Sequence, residues 1–135
     1  YSTTYNRINV SNQASIGISN SKFIELGPAL LETSPATVLT NNSTDELLYT
    51  FNGSLLRSAT INYSVTRSTG TRQGSFQVVP TGGGTLTYTD DYIENTPIGL
   101  VLSASQSGGF VDINYTTTNT GVDGSITFTI STYRI

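Results

Sequence analysis

Three carboxylates crowd into five residues at Asp90-Asp91-Tyr92-Ile93-Glu94, the densest acidic cluster in the chain. Such a set could hold calcium or supply the acid and base of a glycosidase. Calcium takes about six to eight oxygens, drawn from several converging loops, and this segment lacks the EF-hand spacing. A glycosidase pair needs two carboxylates roughly 5–10 Å apart in a cleft, and the sequence signals none. The cluster therefore reads as a solvated loop between strands.

Nucleophilic chemistry is short of parts. The chain has no His and no Cys, so neither a Ser-His-Asp arrangement nor a thiolate can be built. A Ser-Lys pair would have to use Lys22, the sole lysine, which reads as an exposed charge. Gly82-Gly83-Gly84 lacks the Lys, the Ser/Thr and the following helix of a phosphate-binding loop. It reads as a flexible hairpin or bulge. These absences predict a protein that is not an enzyme and that uses no cofactor and no metal.

Surface chemistry is better supplied. Among eight tyrosines, Tyr63, Tyr88 and Tyr115 fall at inward positions and read as core. Tyr1, Tyr5, Tyr92 and Tyr133 are open to contact roles, since an exposed Tyr stacks on sugars or packs on protein. Asn-X-Ser/Thr sequons occur at Asn9, Asn41, Asn42, Asn52, Asn62 and Asn114. Chance produces many in so Asn-, Ser- and Thr-rich a chain, and Asn62 and Asn114 fall mid-strand on the outward face. Six basic residues face nine acidic ones, for a net charge of -3. Arg57, Arg67 and Arg72 lie close in sequence but read as a solvated face. Nucleic acid needs clustered cations, so it is not an expected partner.

The elements that position these groups are strands. Of 135 residues, 36% are hydrophobic and 11% charged, and the apolar ones alternate. Tyr5 to Val10, Lys22 to Leu26, Thr37 to Thr40 and Glu46 to Phe51 read as the first four strands, with Leu47, Tyr49 and Phe51 on one face. Asn52-Gly53 marks a tight turn. Ser54 to Arg67 is the clearest strand: Ala59, Ile61, Tyr63 and Val65 share one face, and Thr60, Asn62, Ser64 and Thr66 the other. That period of two predicts a sheet with one buried and one wet side.

Ser68 to Arg72 reads as a turn, Ser75 to Pro80 as a strand, Thr85 to Asp90 as its continuation and Asp91 to Gly99 as a loop. Three further strands carry Leu100-Leu102-Ala104, Val111-Ile113-Tyr115 and Ile126-Phe128-Ile130, with a bulge expected near Ser131 or Thr132. Gly27 to Glu32 reads as a loop or one 3₁₀ turn. The prediction is one all-β domain over residues 1–135, an antiparallel β-sandwich of jelly-roll or Ig-like type with about nine or ten strands. No apolar run reaches the length of a membrane span, so no membrane insertion is expected. Tyr1 stands where a start methionine would, so the chain reads as processed or cut from a longer one.

The order LLRSATINYSVTR, QGSFQVV, TLTYTDDYIENTPIGLVLSASQSGGFVDINYTTTNTG and GSITFTISTYRI resembles a β-sandwich domain of tailed-phage virion proteins, notably of cyanophages and marine phages. The likeness covers residues 47–135, and residues 1–46 look like variable lead-in strands. QGSFQVV departs from the more acidic, Leu-rich strand of many relatives. The resemblance implies a virion location and a structural or host-attachment role in a tail fibre, neck whisker or capsid decoration. It implies other virion proteins as partners, assembly as a homo-oligomer, with a trimer favoured, and a host surface glycan or protein as a further partner. A capsid decoration (cement) protein and a bacterial carbohydrate-binding or adhesin domain are the alternatives. The contact residues expected are Asp90, Asp91, Tyr92 and Glu94, with Asn119 and Asp123 in the Thr116–Asp123 connection, because loops at sandwich ends vary without disturbing the core.

Overall fold

The computed structural model describes residues 23–81 and 84–135. Tyr1, Tyr5, the strand expected at Tyr5 to Val10, Asn9, Lys22 and two glycines of the Gly82–Gly84 run lie outside the described residues.

Among the described residues ten strands follow one another: β1 (Phe23–Leu26), β2 (Ala29–Thr33), β3 (Thr37–Leu39), β4 (Glu46–Asn52), β5 (Leu56–Arg67), β6 (Gly70–Pro80), β7 (Leu86–Glu94), β8 (Leu100–Ser107), β9 (Phe110–Thr117) and β10 (Gly124–Arg134). Two antiparallel sheets form. The larger runs β1-β2-β10-β5-β6-β7, with β3 sharing an edge of β10 with β2, and the smaller runs β4-β9-β8. The described chain is an all-β sandwich without helix.

Alternation builds the core. Ile61 and Val65 on β5, Phe76 and Val78 on β6, and Ile126 on β10 face Val111 and Ile113 on β9, all of them fully buried. Each such side chain contributes about 1.5–3 kcal/mol on burial. The register aligns them: Ile61 lies opposite Ile130 and Phe76, and Tyr63 opposite Phe128 and Gly74. The complementary positions of β5, Asn62, Ser64 and Thr66, point to solvent, as the period of two requires.

Several boundaries differ from the sequence reading. Ala29 to Thr33 is a strand rather than a loop or 3₁₀ turn. Gly27-Pro28 alone makes the turn, Leu26 pairs with Ala29, and Leu30 and Leu31 take ladder positions against β10. The turn after β5 is only Ser68-Thr69, because Gly70 already pairs with Arg67. On β4 the register slips between Leu47 and Tyr49, so Leu47 is 58% exposed while Phe51 is buried. Tyr88 is also not core. It stacks on Phe76 with ring centroids 5.5 Å apart, yet β7 is the edge of the large sheet and leaves it 44% exposed. The irregularity expected in β10 falls between Thr132 and Arg134. Thr132 stays inward and Tyr133 outward.

Candidate functional site

The acidic cluster is a strand. Residues 90–94 are the second half of β7, paired residue for residue with β6 from Asp90↔Phe76 to Glu94↔Arg72. A strand sends neighbouring side chains to opposite faces, and that divides the cluster. Asp90, Tyr92 and Glu94 share the face of Phe76 and Arg72, whereas Asp91 and the exposed Ile93 stand on the outer face. The adjacent carboxylates Asp90 and Asp91 therefore do not form a pair on one side. Among the described residues no three His, Cys, Asp or Glu side chains gather as a metal-holding group.

On the inner face the carboxylates are tied down. Tyr63 on β5 donates its hydroxyl to both oxygens of Asp90, at 2.9 and 3.1 Å, reaching across the intervening β6. It does so because Gly74 has no side chain. A Cβ there would stand 2.6 Å from the end of the Tyr63 ring and 2.8 Å from the Cβ of Tyr92. Burial is the chief reason the Asp90 carboxyl sits above its usual range, with the Tyr63 hydrogen bond and the Arg72 charge pulling it back. Tyr63 is held well above the ordinary tyrosine range, first by burial and then by the Asp90 charge. An inward-pointing charge on an edge strand such as β7 also discourages pairing with another chain.

Arg72 extends the same network. Its Nε donates to Glu94 Oε2 at 2.8 Å, Nη1 donates to the Leu100 carbonyl at 2.8 Å, and the guanidinium lies 3.7 Å above the Tyr92 ring. A second tie crosses the sandwich, where the hydroxyl of Tyr49 on β4 donates to Glu32 on β2 at 2.7 Å. Burial, then that hydrogen bond, raises Tyr49 above the usual tyrosine range.

Arg67 and Arg72 are not a solvated face. They are 4% and 3% exposed. Arg67 closes one end of the sandwich with neutral oxygens. Nε donates to the Val122 carbonyl, Nη1 to that of Ile98, and Nη2 to the Thr118 carbonyl and to Asn41 Oδ1. Asn41 Oδ1 also accepts from the Thr120 and Gly121 amides. The expected contact residues of this end join that lattice: Asn119 Oδ1 accepts from Asn41 Nδ2 at 3.0 Å, and Asp123 Oδ1 from the Asn41 amide at 2.8 Å. Gly99 is required there, because its φ is +66° and a Cβ would collide with Thr118 Oγ1 at 2.0 Å.

The outer face of the large sheet is the reverse case. An open trough of about 690 Å³ crosses β10, β5, β6 and β7. One wall is Thr127, Ser64 and Gln73, and the other Thr129, Asn62 and Ser75. The floor is the backbone around Phe128, Tyr63, Gly74 and Tyr92. Asp91 and Ile93 close the β7 end. The structure thus keeps Asp90 and Glu94 with Tyr63 and Arg72, gathers Asn119 and Asp123 about Asn41, and leaves Asp91 on the trough. The sequence reading did not single out the trough, although the outward period of β5 announced its central strand.

The chain matches no protein-family model, no curated protein and no solved structure. Among the described residues no helix is long and apolar enough to cross a membrane.

Proposed function

We propose that this chain is a surface module of a phage virion, part of a tail fibre or similar appendage, which contributes to assembly or host attachment by presenting a face. The observation that carries the reading is the division of polar chemistry just described. The inner carboxylates and arginines are bonded to one another and to backbone, so they serve the fold. The polar groups that the central strands of the large sheet leave facing solvent are hydroxyls and amides with one carboxylate, Asp91, a surface suited to contact. The sequence resemblance to virion β-sandwich domains supports a virion location.

Antibodies raised against the purified chain test it. They should decorate the tail or neck appendages of phage particles carrying the gene, seen by negative-stain electron microscopy. Absence of the chain from purified particles would overturn the reading. Uniform labelling of the head would replace it with the capsid-decoration alternative.

A further inference from the structure

The geometry points to the outer trough of the large sheet as a binding site for an uncharged, unbranched oligosaccharide chain. This rests on the reading of the molecule as a surface-presenting module and names the ligand of that surface.

Hydrogen-bonding capacity is the first observation. Asn62, Ser64, Gln73, Ser75, Thr127 and Thr129 make no side-chain hydrogen bond within the described protein, whereas Asn41, Asn119, Asp123, Thr117 and Ser43 at the sandwich end all do. Two amides and four hydroxyls, each able to donate and accept, stand in two facing rows. The rows are separated by two residues along each strand, about 7 Å, and cross three strands, about 10 Å, with Ile93 and Asp91 continuing them onto β7. A rigid backbone scaffold holds them, so little ordering entropy is lost on binding.

Charge selects the ligand. Among the described residues no lysine or arginine lines the trough, and Asp91 is the one acidic side chain there. Phosphorylated, sulfated or sialylated chains would meet a negative charge with no cation to offset it. Sugar hydroxyls, by contrast, can donate in pairs to the Asp91 carboxylate. Shape selects further. The trough is open along its length, which suits a segment of a linear polymer rather than a single enclosed ring. On the outward face Ile93 is the one exposed apolar side chain among the described lining residues, since Tyr92, 43% exposed, turns to the opposite face against Arg72. Without an aromatic face to stack on, a single site binds weakly. Several linked copies raise the effective affinity by about 10²–10⁴-fold through avidity.

The test uses the biotinylated chain tetramerised on streptavidin and applied to immobilised linear polysaccharides: neutral amylose, linear β-mannan and mixed-linkage β-glucan, and anionic hyaluronate and polysialic acid. The expected result is retention on at least one neutral polymer and on neither anionic one. Asn62→Ala/Gln73→Ala should lose at least ten-fold in half-saturating concentration with an unchanged melting temperature, while Thr50→Ala on β4 should not change it. Retention only on anionic polymers, no retention, or an unaffected double variant would overturn the proposal. So would light scattering in which the double variant falls from oligomer to monomer, since that assigns the face to contact between copies. No sugar binding alongside positive virion labelling removes the trough and leaves the virion reading standing.

Discussion

The hydroxyl of Tyr63 meets the carboxylate of Asp90 two strands away, over the bare backbone of Gly74. Three consecutive strands of the large sheet are thereby locked by one side chain, one gap and one acceptor, directly beneath the trough floor.

Filling the gap should break the lock. Gly74→Ala places a methyl group 2.6 Å from the Tyr63 ring, and overpacking of this kind costs about 1–3 kcal/mol. Tyr63→Phe keeps the ring but leaves Asp90 without its donor, for about 1–3 kcal/mol. Because both act on one contact, the double variant should lose less than the sum of the singles. Urea denaturation of the four proteins checks this, and strict additivity would show that the two residues are uncoupled.

Asp90 should give the fold an acid-side signature. Its folded carboxyl is raised, mainly by burial. The protonated form is therefore favoured by folding, and this contribution is complete below the unfolded value near 3.8. It is lost as pH rises through the folded value. Asp90→Asn removes the charge and keeps an acceptor for Tyr63. Thermal melts at pH 3.5 and 7 should show the variant gaining on the parent as pH rises across that window. Equal pH profiles would contradict the assignment.

Much of this arrangement was legible and part was not. Ala59, Ile61, Tyr63 and Val65 were readable as an inward row because β5 is buried on one side and wet on the other. Residues 91–94 were not readable as strand, since an edge strand carries charge on both faces and imitates a loop. Arg67 and Arg72 were misread by type. Their parity gave the better signal, as Arg67 continues the row of Val65 and Arg72 precedes Gly74 and Phe76 on the inward phase. Leu30 and Leu31 were hidden by the brevity of the Gly27-Pro28 turn. The Arg67 lattice was beyond reach, because it joins loops far apart in the chain through backbone carbonyls.

Arg67→Lys should open the sandwich end selectively. Lysine has one ammonium where the planar guanidinium reaches five oxygens, those of Val122, Ile98, Gly99, Thr118 and Asn41, and hydrogen bonds to a charged group are worth about 1.5–3 kcal/mol each. Hydrogen exchange should quicken at the Thr118, Thr120 and Gly121 amides while the β5 and β6 ladders stay protected. Exposed Arg57→Lys should leave the pattern unchanged.

Alkaline titration reads the two raised phenols. Tyr49 and Tyr63 stay protonated in the fold beyond the usual range, and the stability this gives is lost as pH rises through their folded values. At pH 11 the native absorbance change at 295 nm should fall short of that in guanidinium by nearly two tyrosine equivalents, since an ordinary phenol near 10.0 is mostly ionised there. Tyr63→Phe should not reduce the native signal. Full ionisation of the folded protein would contradict the burial of these groups.

The most direct measurement of where this protein makes contact is a ¹⁵N NMR titration with a neutral trisaccharide of the polymer that retains it. Perturbed amides should cluster at Asn62, Ser64, Gln73, Ser75, Thr127 and Thr129, in the outer rows of the large sheet. Perturbations confined to Asn41, Asn119 and Thr120 would place contact in the Arg67-pinned loops and contradict the account.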